Sequence, residues 1–252
     1  MDMGELTGKA ALVTGGSRGL GAATALALAD AGADVAVNYV KRRDKAEEVV
    51  EKIKAKGRCA IAIQADCTDE SAVKDMVNQV KSEFGEIRIL MNNSGVLTQM
   101  LLQDMSLDDW ENIMASHLRS TFLVSRECLR QSMLSLRPMN GERRAAKIIN
   151  MSSGIGQKGG IGGSTIVHYV TAKAGIIGFT KALAGALAPL ITVNAVSPGT
   201  HPTDILGDLS EEWKQEKEKE LLLGFGTVED VADSVVFIAS PKADYYTGQV
   251  LQ

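Results

Sequence analysis

The sequence predicts an α/β fold: a doubly wound sheet of about seven parallel strands with helices on both faces. Three observations carry this. Short apolar or β-branched runs alternate strictly with longer helical patterns, which implies right-handed crossovers and a parallel sheet covered on both sides. No linker, repeat or low-complexity tract interrupts the alternation. The glycine-rich and polar motifs fall just after the strands, where ligands sit in such sheets.

In order, Ala10–Thr14 reads as a buried strand and Leu20–Ala31 as an Ala-rich helix ended by Gly32. Asp34–Tyr39 is a second strand, and Arg43–Lys56 a charged amphipathic helix stopped by Gly57. Ala60–Ala65 is strand three, Glu70–Phe84 the next helix and Ile89–Asn92 a short fourth strand. Asp108–Met133 reads as one long helix, with Ser106 as N-cap and Asp109 three residues on. Lys147–Ser152 is strand five, and Val167–Ala188 a mostly apolar helix ended by Pro189. Ile191–Val196 is strand six, Ser210–Leu222 a strongly charged helix, Val228–Ala239 a shorter one, and Gln249–Leu251 the start of a last strand. One Rossmann-like domain over residues 1–252 is the economical reading.

Composition narrows the function. A formal net charge of −4 argues against a general nucleic-acid binder. The three cysteines, Cys59, Cys67 and Cys128, have no CxxC-type spacing, so reduced thiols and no metal site are expected. The N-terminus lacks the pattern of a signal peptide. The most hydrophobic stretch, Ala174 to Val193, is interrupted by Lys181 and Pro189 and is too broken for a membrane span. A soluble, cytoplasmic protein without membrane attachment is expected.

Thr14-Gly15-Gly16-Ser17-Arg18-Gly19-Leu20-Gly21 joins the first strand to the first helix. Glycines there allow a tight turn and close backbone approach to a phosphate, and the helix N-terminus adds free N–H groups and partial positive charge. The spacing is neither G-x-G-x-x-G nor a Walker pattern. Gly15, Ser17, Arg18, Gly19 and Leu20 are the candidate contacts. At the end of strand two, where an acid would hold a ribose 2′-hydroxyl, the chain has Asn38-Tyr39-Val40-Lys41-Arg42. Lys41, with Arg18 in the turn, would favour the 2′-phosphate of NADP(H) over NAD(H). The competing reading makes Lys41 and Arg42 a solvated helix entrance.

Strand five ends at Asn150-Met151-Ser152-Ser153-Gly154, and Tyr169-Val170-Thr171-Ala172-Lys173 begins sixteen residues beyond Ser153. Tyr169 and Lys173 share one helix face. A free tyrosine titrates near ~10, three units above neutrality, or roughly 4 kcal/mol. A nearby ammonium favours the phenolate, so Tyr169 could exchange a proton with a carbonyl or alcohol oxygen while Ser153 orients that oxygen.

These residues resemble the short-chain dehydrogenase/reductase family, and within it the 3-oxoacyl-[acyl-carrier-protein] reductases. The likeness runs from about Leu6 to Leu251, through the Thr14–Gly21 turn, Asp66, Asn92-Asn93-Ser94-Gly95, Ser153, Tyr169, Lys173 and Asn194–Gly199. The resemblance implies hydride transfer at nicotinamide C4, with Tyr169 as acid/base. It implies that Lys173 binds the nicotinamide ribose and lowers the tyrosine pKa. Asp66, flanked by Ala65 and Cys67, would meet the adenine. Asn93, Ser94 and Gly95 would line the cofactor, and Met151, Pro198, Gly199, His201 and Thr203 the nicotinamide end. A homodimer or homotetramer is implied as well.

The chain departs from the family pattern in three places. Within Trp110-Glu111-Asn112-Ile113-Met114-Ala115-Ser116-His117-Leu118, His117 stands where the family has an asparagine that holds a water leading to the lysine. Histidine titrates near neutrality, so His117 is a candidate catalytic residue that could relay protons, hold the water or displace it. A local structural histidine is the other reading. The glycine-rich Gln157–Val167 link is longer than usual, and the family's Asp-Gly-Gly tail does not follow Gly248-Gln249-Val250-Leu251, which bears on tetramer packing. Residues 200–226 are expected to form a substrate lid. Arg126, Arg130, Arg137, Arg143, Arg144 and Lys147 form a basic stretch that either docks an acidic acyl carrier protein or is a solvated helix end. The expected activity is NADP(H)-dependent reduction of a ketone to a secondary alcohol, the substrate being a 3-oxoacyl thioester or related ketone. A sugar, polyol or secondary-alcohol dehydrogenase and a weakly active cofactor-binding subunit remain as alternatives.

Overall fold

The computed structural model describes residues 4–139, 141–159, 164–199, 211–221 and 223–252. Seven strands form one sheet, in the order β3-β2-β1-β4-β5-β6-β7. They are β1 (Ala10–Val13), β2 (Asp34–Tyr39), β3 (Ala60–Gln64), β4 (Ile87–Asn92), β5 (Ala146–Met151), β6 (Ile191–Val196) and β7 (Val250–Leu251). All pairings are parallel. β1 lies between β2 and β4, so successive connections run first to one side of it and then to the other. That reversal opens a crevice beyond the carboxyl ends of β1 and β4.

The sheet is apolar on both faces. On one face Ala11, Val13, Val35 and Val37 pack under α1 (Gly19–Asp30), α2 (Arg43–Ala55) and α9 (Val228–Ala239). On the other, Leu12, Leu90 and Ile148 pack under α3 (Glu70–Phe84), α5 (Ser120–Gln131) and α7 (Val167–Leu187). The side-chain alternation of a strand sends Leu12 to the face opposite Ala11 and Val13. Full burial of each Val, Leu and Ile named here stabilises the fold by about 1.5–3 kcal/mol. α7 is the one described helix long and apolar enough to cross a bilayer, but it turns His168, Ala172, Lys173, Ile176, Thr180 and Ala184 inward.

Two elements differ from the sequence reading. The expected helix Asp108–Met133 is three segments: α4 (Leu107–Met114), a π turn (Ala115–Arg119) and α5. Its start has the expected capping box between Ser106 and Asp109. From the first residues of α5, the Ser120 hydroxyl donates back into the turn to Ser116 O (2.7 Å) and the Thr121 hydroxyl to His117 O (2.7 Å). Hydroxyls that bond back to carbonyls compete with the helical ladder and can bend it, and π turns are frequent at functional sites. The second difference is α6 (Gly154–Lys158), a single turn whose glycines carry little helical signal. α8 (Glu211–Glu220) falls within the expected charged helix. Residues 200–210 and 222 of the expected lid lie outside the described residues.

Candidate active site

The glycine turn is fixed from both sides by buried side chains. Asn38, fully buried at the end of β2, accepts from Gly15 N (3.1 Å) through Oδ1. Its Nδ2 donates to Ala65 O (3.0 Å) on the far side, so one amide links the turn after β1 to the chain after β3. On the other flank, the Thr14 hydroxyl accepts from Asn93 N (2.9 Å) and Ser94 N (3.1 Å), and Asn93 Nδ2 donates to Thr14 O and Gly15 O (both 3.1 Å). Gly15 adopts φ 61°. A Cβ on Gly21 would fall 2.3 Å from Gly15 O, so only glycine lets the first turn of α1 come this close.

α1 begins without a side-chain cap and without an acid in its first turn, so its positive end is not neutralised locally. Such an end fits a phosphate. Arg18 is exposed beside it and Lys41 beyond β2, and among the described residues neither has an ion-pair partner. Arg42 differs: it is held by Asp44 through two hydrogen bonds of 3.0 and 2.8 Å.

Not every sequence candidate offers its side chain to the crevice. Asn38 is consumed by the scaffold just described. The Tyr39 ring belongs to the core cluster. Cys67 is buried, its thiol donating to Asn38 Oδ1 (3.3 Å), and burial pushes its pKa up to about 12. Leu20 packs against the core and Ala65 is buried, whereas Asp66 is exposed, its carboxylate accepting from Thr68 N (2.9 Å) and the Thr68 hydroxyl (2.8 Å). Ser17, Gly19, Ser94 and Gly95 are half-buried along the crevice. His201 and Thr203 lie outside the described residues.

Ser153, Tyr169 and Lys173 converge where β5 ends. Ser153 is the N-cap of α6, but its hydroxyl makes no cap hydrogen bond and is left for other work. Gly154 N donates to Pro198 O (2.8 Å), which joins the ends of β5 and β6. Lys173 Nζ donates to Met151 O (2.7 Å) and lies 5.6 Å from the Tyr169 ring centroid. The Ser152 hydroxyl donates to Lys173 O (2.9 Å), and a Cβ on Gly156 would press within 2.9 Å of the Lys173 backbone. The lysine is thereby fixed along its length by residues whose roles the sequence did not disclose.

The electrostatics correct one expectation. Burial lowers Lys173 to about 7, so the amine is only part-charged at neutrality. Tyr169 is accordingly not depressed: burial raises it, while the Ser153 hydroxyl works in the opposite direction. His117 corrects another. It is buried, and desolvation together with the nearby Lys173 lowers it to about 3, so it does not titrate near neutrality. Its ring meets Tyr169 edge-on, centroids 5.2 Å apart at 86°. His168, which the sequence reading passed over, is fully buried beside Tyr169, with Nε2 3.0 Å from the Thr98 hydroxyl. Its place directly before Tyr169 was the available signal.

The basic stretch is mostly occupied. Arg126 pairs with Glu70, Arg144 donates to Asp244 O (2.8 Å) and Lys147 meets Asp244 at 2.5 Å. Arg143, Arg144 and Lys147 also sit at the amino end of β5, a strand's length away from Ser153.

A doubly wound sheet, a phosphate-suited glycine turn and a Ser, Tyr and Lys group at the strand ends together define a nucleotide-dependent oxidoreductase. The short chain dehydrogenase family profile matches residues 9–214, and the chain belongs to that family. It is 42% identical over 245 residues to the 3-oxoacyl-[acyl-carrier-protein] reductase FabG of Staphylococcus aureus strain N315, covering 96% of this chain and 95% of that one. It is 39% identical over 250 residues to FabG of Aquifex aeolicus, covering 98% and 96%. Among solved structures, a short chain dehydrogenase from Burkholderia cenocepacia J2315 in complex with NADP superposes with a TM-score of 0.88 at 36% identity, over 98% of this chain and 96% of that one. A blue fluorescent protein from a metagenomic library in complex with NADPH gives 0.88 at 35%, with the same coverage.

Proposed function

We propose that this oxidoreductase reduces the ketone of a 3-oxoacyl thioester to the secondary alcohol, with NADPH as its cofactor. The carrying observation is the convergence of Ser153, Tyr169 and Lys173 at the end of β5, with only β4 between it and the strand that ends in the glycine turn. Bound in the crevice, the nicotinamide supplies the hydride. The chain's own residues do the rest. The uncapped end of α1, with Gly15, Ser17 and Gly19, receives the phosphates, and Arg18 and Lys41 receive a 2′-phosphate. Asn93, Ser94 and Gly95 border the crevice on the β4 side, Met151, Pro198 and Gly199 at the ends of β5 and β6, and Asp66 at the end of β3. Ser153 donates to the ketone oxygen and holds it against Tyr169. Tyr169, which burial keeps protonated, gives its proton to that oxygen as negative charge develops there. Lys173 can donate to a ribose hydroxyl and, when charged, favours the phenolate that Tyr169 becomes on giving up its proton.

The names of the two FabG relatives support the acyl substrate, and the NADP and NADPH complexes support the cofactor. The test is cofactor oxidation with acetoacetyl thioesters, run beside a panel of sugars, polyols and secondary alcohols with oxidised cofactor. Turnover confined to the second panel would overturn the substrate. NADH giving a higher kcat/KM than NADPH would overturn the cofactor. NADPH binding without turnover of any carbonyl would instead support a cofactor-binding subunit. A homodimer or homotetramer is part of the proposal: Gly178, Ala182 and Gly185 leave one exposed side of α7 lined by small residues that a second copy could approach. A monomeric mass by sedimentation would refute it.

A further inference from the structure

The segment that follows β4 forms no helix or strand from Asn93 to Leu101, yet it is tied down along its length. Val96 O lies 2.6 Å from His117 Nε2 in the π turn. The Thr98 hydroxyl lies 3.0 Å from His168 Nε2 on α7. Met100 N donates to Thr165 O (2.7 Å), just ahead of α7. His168 is fully buried, and its Nδ1 has no partner among the described residues. An apolar ring would fill that space without leaving a nitrogen bare; what the imidazole adds is the bond to Thr98. A hydroxyl can donate or accept, so this bond holds with the ring hydrogen on either nitrogen.

The segment so fixed is apolar and is not taken up by the core. Val96 is 49% exposed and Leu101 42%, Leu97 and Met100 are half-buried, and neither core cluster includes any of them. It also borders the chemistry. Val96 faces Tyr169 across the His117 ring, and Thr98 is bonded to the residue directly before Tyr169. We propose that His168 is a positioning residue that, through Thr98, holds Val96, Leu97, Met100 and Leu101 as the wall receiving the substrate's acyl tail, and so sets the preference for chain length. This rests on the 3-oxoacyl reading of the function. A wall already ordered need not be ordered when substrate binds, so the bond acts on binding rather than on the chemical step.

Thr98→Val keeps the shape of an exposed side chain and removes its hydroxyl. With the 3-oxooctanoyl thioester of N-acetylcysteamine and NADPH, this variant should raise KM about 3–10-fold and keep kcat within about twofold. With the acetoacetyl thioester, whose tail is a lone methyl group, KM should stay within about twofold of wild type. Thr98→Ser, which restores the hydroxyl, should return the wild-type KM. Without substrate, the Met100 amide should exchange with deuterium about 3–10-fold faster in Thr98→Val. An equal rise of KM on both thioesters overturns the proposal, as does a fall in kcat with KM intact, or unchanged exchange at Met100. A loss of oligomer mass with KM unchanged also overturns it, because the wall would then receive a second copy. If Thr98→Val does not fold, Thr98→Ala makes the same comparisons. Wild-type protein inert toward both thioesters would instead sink the 3-oxoacyl reading, and exchange at Met100 would still show whether His168 holds the segment.

Discussion

Asn38→Ala should loosen the cofactor turn and the sheet together. The amide joins Gly15 N to Ala65 O across the end of β2, at zero exposure. Its removal leaves the part-buried Gly15 N–H and the buried Ala65 carbonyl without this partner, each costing about 1–3 kcal/mol, for a loss of roughly 2–6 kcal/mol. For a chain of this size each kcal/mol moves Tm by about 2–4 °C. Urea denaturation measures the free energy, and fluorescence titration the accompanying loss of NADPH affinity. Asn38→Asp separates the two halves of the amide. The carboxylate keeps the acceptor for Gly15 N but turns an oxygen against Ala65 O, so its folded pKa rises above the unfolded value of ~3.9. The folded state then binds the proton more tightly, and this variant should gain stability as pH falls from about 7 to 5. A cost below about 1 kcal/mol for Asn38→Ala would refute the reasoning. So would an Asn38→Asp variant that parallels the wild type across that pH range.

Tyr169→Phe should lower kcat by about 10²–10⁴-fold while NADPH affinity is kept, since only the proton is removed; steady-state kinetics and cofactor titration check both. Lys173 titrates at about 7 in the folded chain, against ~10.4 when unfolded. Between those values the unfolded chain holds the extra proton, so stability should rise with pH through that window, and Lys173→Met should abolish the rise in denaturation curves. Asp244→Ala strands Lys147 in a buried site and should cost about 3–5 kcal/mol, whereas Lys147→Met with Asp244→Leu should cost much less; paired urea melts compare them.

Strands and helices were largely legible because their signals are periodic. Glu70–Phe84, Ile191–Val196 and Val228–Ala239 follow apolar patterns and turn residues that local physics dictates. The π turn was not legible: Ala115-Ser116-His117-Leu118-Arg119 has the composition of an ordinary helix. In the site, spacing alone put Tyr169 and Lys173 on one helix face. Desolvation of Lys173 could not be read that way, because it depends on Met151, Ser152 and Gly156 arriving from other elements. The scaffold role of Asn38 was hidden for the same reason: Gly15 and Ala65 are its neighbours in space rather than in sequence.

The central place of β1 also governs how the chain can be made. Thr14 bonds to Met91 across 77 positions of sequence. A ribosome emitting the chain from its N-terminus can complete β3-β2-β1 long before β4 emerges. Until then β1 is an open edge of Ala10, Ala11, Leu12 and Val13, the kind of apolar border that invites pairing with another nascent chain. The strand that ends in the glycine turn thus stays an open edge until β4 emerges, and a product truncated before residue 87 is expected to aggregate rather than persist as a half-domain.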